Sequence, residues 1–172
     1  MNAWKSLTVA AFVLAAGLFL PSAQARVDFT NLDGTYDATY RLTTDTGTDF
    51  TGVVTVIAKQ SANGNKVKLS IFGYFGTTST PPPTTAMVGI MTLNSHHTIV
   101  ADNIFLALSA QIPANRTTFT GDHTPFGFTL VNGGATMTYT MRFNRTRLSI
   151  IGTGTSGATN VSVSLVGIKQ AP

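Results

Sequence analysis

The groups in this chain that most readily ligate a metal or move a proton near neutral pH are three histidines and seven aspartates; there is no glutamate and no cysteine. His96 and His97 are adjacent, His123 follows Gly121-Asp122, and Asp102 lies between them in sequence. Imidazole and carboxylate together suit zinc or copper. Adjacent strand residues point to opposite faces, so only one of His96 and His97 would reach a shared ion. Near the turn signalled by Asn94-Ser95 that rule weakens, but solvated turn histidines are the simpler reading, and no metal site is expected. Without cysteine, thiol catalysis and cysteine-ligated metals are excluded. A serine hydrolase needs a nucleophile, a base and an orienting carboxylate, and no Gly-x-Ser-x-Gly elbow is present. A glycosidase needs two carboxylates facing a cleft. Asp28, Asp33, Asp37, Asp45 and Asp49 sit mostly in turn contexts such as Asn31-Leu32-Asp33-Gly34 and Asp45-Thr46-Gly47, where Asp side chains bond local backbone. No glycine-rich phosphate loop occurs. No catalytic residue is nominated, no cofactor is expected, and the chain is expected not to be an enzyme.

Arg142, Arg145 and Arg147 could grip an anionic group through paired hydrogen bonds, but their strand and turn contexts read as solvated. The net charge of +4 is mild and has no dense basic stripe, so no nucleic-acid partner is expected. Asn115-Arg-Thr, Asn144-Arg-Thr and Asn160-Val-Ser are glycosylation sequons that matter only in a host modifying exported chains.

The bulky apolar residues are more informative. Phe72, Tyr74, Phe75, Phe126, Phe128, Tyr139, Met141 and Phe143 fall on neighbouring hairpins. A small barrel either fills its interior with such side chains or holds one small apolar ligand among them. The filled core is the simpler outcome. The binding alternative nominates Phe75, Phe128, Tyr139, Met141 and Phe143 as pocket lining.

The elements that must position these residues are strands. Threonine, valine, phenylalanine and glycine are prominent, a mixture that favours pleated structure over helix. Tyr36, Ala38, Tyr40 and Leu42 share one face; Asp37, Thr39 and Arg41 share the other. A strand over 50–59 leads to Asn63-Gly64-Asn65, a hairpin signal. Val67, Leu69, Ile71, Gly73 and Phe75 then alternate with Lys66, Lys68, Ser70, Phe72 and Tyr74. Pro81-Pro82-Pro83 makes an extended loop, and strands follow over 87–93 and near 98–101. Segment 102–111 fits either a helix capped by Asp102 or an alternating strand. Asn132-Gly133-Gly134 joins two further strands, Asn144-Arg145 turns or bulges the chain, and 148–155 and 160–168 complete the pattern. The expectation is an all-β antiparallel meander of eight to ten strands, closed as an up-and-down barrel because closure removes exposed edges. A two-sheet β-sandwich is the alternative.

Leu32-Asp33-Gly34-Thr35-Tyr36, opening the first strand, resembles the Gly-x-aromatic start of lipocalin-like (calycin) barrels. Ser164-Leu165-Val166-Gly167 is similar to the last strand of avidin-like barrels. Lipocalins usually carry Trp where this chain has Tyr36, and avidins line their biotin site with tryptophans, whereas the single Trp here is Trp4. The resemblance implies a small-molecule carrier and transfers no individual site residue.

The amino terminus sets the expected location. Lys5 precedes an apolar run from Leu7 to Leu20, then Pro21-Ser22 and the small-x-small exit Ala23-Gln24-Ala25. This is the order of a secretory signal peptide, and the run is short of the roughly 20 residues a helical span needs. The expectation is a leader over 1–25 and a single β-domain over 26–172, with no membrane span after cleavage. The protein is then periplasmic or extracellular, from a bacterium. Three functions compete: an exported barrel binding a small apolar ligand, a structural or adhesin-like surface module, and an outer-membrane barrel. Against the last stand the absence of tryptophan beyond the leader and a non-aromatic carboxyl end.

Overall fold

A computed structural model describes residues 27–171 apart from 48, 78–84, 95–97, 103–116 and 121–123. The leader expected over 1–25, the three histidines, the triple proline and the segment after Asp102 lie outside the described residues. Ten strands follow in chain order: β1 (Gly34–Thr44), β2 (Asp49–Gln60), β3 (Lys66–Thr77), β4 (Thr85–Asn94), β5 (Thr98–Asp102), β6 (Thr117–Thr120), β7 (Phe126–Asn132), β8 (Ala135–Phe143), β9 (Arg147–Ser156) and β10 (Thr159–Lys169).

Each strand pairs antiparallel with its sequence neighbour, except that β5 and β6 form the two ends of the sheet and β1 pairs with β10. The spatial order is β5-β4-β3-β2-β1-β10-β9-β8-β7-β6 in one sheet. A sandwich would need two sheets, so that alternative is overturned: the β1–β10 ladder, from Tyr36↔Lys169 to Thr44↔Val161, makes the meander continuous. The sheet curls until its edge strands β5 and β6 approach one another. This is the up-and-down barrel expected from short hairpins, with its seam between two short strands.

Turn chemistry fixes the register. Asn132↔Ala135 and Ser156↔Thr159 are joined by two-residue loops, and Gly133 supplies the left-handed φ of +57° that such a tight turn demands. The two hairpin tips are tied by the Gly157 N–H donating to Gly134 O at 2.9 Å. At the other end of the barrel Asn144 Oδ1 accepts from the Thr146 N–H at 2.8 Å and the Arg147 N–H at 2.8 Å, an Asx turn between β8 and β9. The chain turns there without a bulge, since Phe143↔Leu148 and Met141↔Ile150 keep the alternation in step.

With register fixed, period-2 alternation places one set of side chains inside. Strand β8 reads buried at every other position, from Ala135 through Phe143. The inner face is apolar on every strand whose side chains are described, and the outer faces of β1 and β8 carry Asp37, Thr39, Arg41, Thr136, Thr138, Thr140 and Arg142. A transmembrane barrel has the opposite polarity, with its apolar residues turned to lipid all round and a polar lumen. No helix among the described residues is long and apolar enough to cross a membrane.

Candidate functional site: the barrel interior

The two ends of the barrel differ. At the end where β1 begins, the segment ahead of it folds back across the opening and buries Val27, Phe29 and Leu32 completely or nearly so. Local bonds shape that segment: Asp28 Oδ1 accepts from both the backbone N–H and the hydroxyl of Thr30, and the Leu32 N–H donates to Phe29 O at 2.9 Å. The Thr30 hydroxyl bond is the main reason the Asp28 carboxyl is held below its usual value, and the Thr30 backbone bond adds to it. Two side chains then fasten the segment to the barrel. The Tyr36 hydroxyl donates to Leu32 O at 2.6 Å, and Lys169 Nζ donates to Asn31 O at 3.1 Å while lying 5.5 Å from the Tyr36 ring centre. Asp33 Oδ1 accepts from the Gln60 N–H at 2.9 Å.

From this plug an aromatic column rises through the interior. Phe29 lies 6.3 Å from both Phe126 and Phe143, Phe126 lies 6.1 Å from Phe128, and Phe128 stacks on Tyr139 at 5.1 Å. The Tyr139 ring rests on Gly152, its partner on β9; a Cβ at Gly152 would collide with the Cδ1–Cε1 edge of the ring. Tyr40 is buried close enough to Tyr139 for the two to interact electrostatically. Burial pushes the hydroxyl pKa of Tyr40 well up, and burial with Tyr40 nearby pushes that of Tyr139 further. Tyr36 is pushed up to about 12, chiefly by burial and then by the Asp33 charge. All three therefore hold their protons across the ordinary pH range.

At the far end, where β1 finishes and β2 begins, three inward residues of β1–β3 are only partly buried, while Val161, Val163, Ala135 and Met137 on the β10 and β8 side of the same end are buried. Leu42 and Phe75 pack against the core without being enclosed, and Phe50 joins them, its ring 5.9 Å from that of Phe75 in an edge-on contact. Among the residues whose side chains are described, no aspartate, lysine or arginine is buried. Arg142, Arg145 and Arg147 are exposed on the outer wall and in the β8–β9 turn. No cluster of three potential metal ligands forms among the described residues.

The structure separates the five nominated lining residues. Phe128, Tyr139 and Met141 are wholly buried in the middle of the barrel, and Phe143 belongs to the plugged base beside Phe29. Only Phe75 stands at the partly exposed end. Its neighbours there, Leu42 and Phe50, were missed, as was Tyr40. Leu42 and Tyr40 were legible as an inward face, but nothing local marks which end of a strand opens to solvent. That depends on the plug, whose apolar residues Val27, Phe29 and Leu32 precede the first strand and carry no periodicity. Of the sequons, Asn144 uses its side-chain oxygen in the turn and Asn160 Nδ2 donates to Asp45 Oδ2 at 2.6 Å.

No protein-family model matches the chain, and no curated protein sequence does. Among solved structures the fold is similar to that of an S-type phycobiliprotein lyase from Guillardia theta, with a TM-score of 0.59 over 84% of this chain and 91% of that one, at 8% identity. At that identity the likeness shows the fold alone, and the fold it shows is calycin-like, in line with the resemblance of the first strand. It also corrects one expectation. The lack of a recognisable motif led to the conclusion that the chain is not an enzyme, yet a barrel of this fold carries a protein named a lyase, so that conclusion does not stand.

Proposed function

We propose that the protein binds a small, uncharged apolar molecule at the partly exposed end of the barrel, against Leu42, Phe50 and Phe75, with Tyr40 and Tyr139 below. The asymmetry of the two ends carries the reading: one is closed by a fastened plug, while at the other three large apolar side chains point inward without being enclosed. Phe128 and Met141 form the deeper wall, and Phe143 supports the base. No buried charge occurs among the residues whose side chains are described, and an ionised group buried without a partner costs several kcal/mol, which supports an uncharged ligand. The leader-like first 25 residues support export to a periplasm or the exterior. The calycin-like fold is compatible with such a role. The aromatic column from Phe29 to Tyr139 favours a second reading, a filled module that works through its outer surface.

A pair of fluorescent probes with related ring systems separates the two. N-phenyl-1-naphthylamine is neutral and 8-anilinonaphthalene-1-sulfonate is anionic. The neutral probe should bind with the higher affinity, and Phe75→Asp should weaken it at least tenfold, consistent with the roughly 1.5–3 kcal/mol that a buried Phe contributes. Binding of neither probe by a folded protein would favour the filled module.

A further inference from the structure

The outer wall is uneven. Where β1 and β8 present threonines and charges, the outer faces of β2, β3 and β4 present a connected apolar patch. Its register is Val53↔Tyr74↔Ala86 in one row and Thr55↔Phe72↔Val88 in the next, with Ile90 opposite Ser70 in a third. Val53 is 74% exposed, Val88 67%, Tyr74 60% and Phe72 42%. A contiguous exposed patch of this kind marks a site of interaction. Directly below it Lys59 and Lys68 face each other across the β2–β3 ladder, and Lys66 lies two residues further along the same outer face. Like charges placed opposite one another in a sheet destabilise it. Nothing among the described residues offsets them: the ion pair is Arg41 with Asp49, while Asp33 turns to the Gln60 N–H and Asp37 to the Gln170 amide.

We propose that the outer face of β2–β4 docks on an anionic phospholipid surface, Phe72, Tyr74, Val53 and Val88 entering the interfacial layer and Lys59, Lys66 and Lys68 meeting the headgroups. The charge of the face calls for an anionic partner, and the lysine stems reach past the apolar rows to the headgroup level. Strands β2 and β3 are hydrogen-bonded along both edges, so laying their face against lipid strands few backbone groups. The wall of a barrel is convex. A rigid protein partner would need a matching concavity, whereas a fluid bilayer conforms to it.

The test is co-sedimentation of protein recovered from an exporting host with vesicles of phosphatidylcholine alone and of phosphatidylcholine mixed with phosphatidylglycerol. Binding is expected to the anionic vesicles, weakening with salt, and at least tenfold less to the neutral ones. Lys66→Gln with Lys68→Gln should weaken it by about fivefold per lysine. Phe72→Ser with Tyr74→Ser should weaken it at least tenfold, with the β-type circular dichroism retained because both side chains are exposed. Absence of vesicle binding overturns the proposal, as does equal binding to both vesicle types. Retention of binding by both pairs of variants also overturns it, since attachment would then lie elsewhere on the chain. A dimer that forms without vesicles and is lost in the Phe72/Tyr74 pair assigns the face to a second copy and overturns it as well.

Discussion

Tyr139 and Gly152 form a matched pair: the ring on β8 occupies the space a side chain on β9 would need. Gly152→Ala should therefore destabilise the barrel by about 1–3 kcal/mol in chemical denaturation. In a Tyr139→Leu background the same substitution should cost under about 1 kcal/mol, because coupled neighbours are non-additive. The buried tyrosines make a second prediction, about pH. An unfolded tyrosine ionises near pH 10, whereas Tyr36 in the folded protein is pushed up to about 12 and Tyr40 and Tyr139 are pushed up by burial. Below pH 10 both states are protonated and stability is unaffected. Above it the unfolded chain has lost protons that the folded one retains, so stability falls as pH rises. Absorbance at 295 nm should show these three tyrosines ionising in one cooperative step that coincides with the loss of β-type circular dichroism. Ionisation of all three while the fold persists would show that they are not enclosed. At this scale the sequence was a good guide to which residues face inward, because alternation decides it. It could not show which inward residues meet, since Phe29 and Phe126, whose rings lie 6.3 Å apart, are far apart in sequence.

Nine of the ten strands were legible for the same reason, down to hairpins at Asn63-Gly64 and Asn132-Gly133-Gly134, with limits shifted mostly by a residue or two, whereas the short β6 (Thr117–Thr120) was not anticipated. Nor was the plug. Val27, Phe29 and Leu32 lie in a stretch without period, and their burial follows from the hydroxyl of Tyr36 and the ammonium of Lys169 holding that stretch across the base. Phe29 makes this element structural in its own right, because it completes the aromatic contacts of Phe126 and Phe143. Phe29→Ala should cost about 3–5 kcal/mol, the usual range for truncating a buried phenylalanine, measured by thermal or chemical unfolding. A cost under about 1 kcal/mol would mean that the amino-terminal segment does not seal the barrel, and the contrast between the two ends would disappear with it.

For the molecule as a whole, the single sheet joins its first and last strands at its centre and leaves its seam between β5 and β6. The β1–β10 pairing decided barrel over sandwich, and no periodicity reveals a pairing between strands so far apart in sequence. What the architecture leaves is an interior whose described side chains bury no charge, plugged below and carrying the partly buried Leu42, Phe50 and Phe75 above, on a calycin-like fold. Native mass spectrometry of the protein from an exporting host, purified without detergent, tests the binding reading most directly. The account predicts an added mass that is released on denaturation, belongs to an uncharged apolar compound, and is absent from a folded Phe50→Asp variant. A clean apo mass that stays unchanged after incubation with neutral apolar compounds would contradict it and leave the outer wall as the working surface.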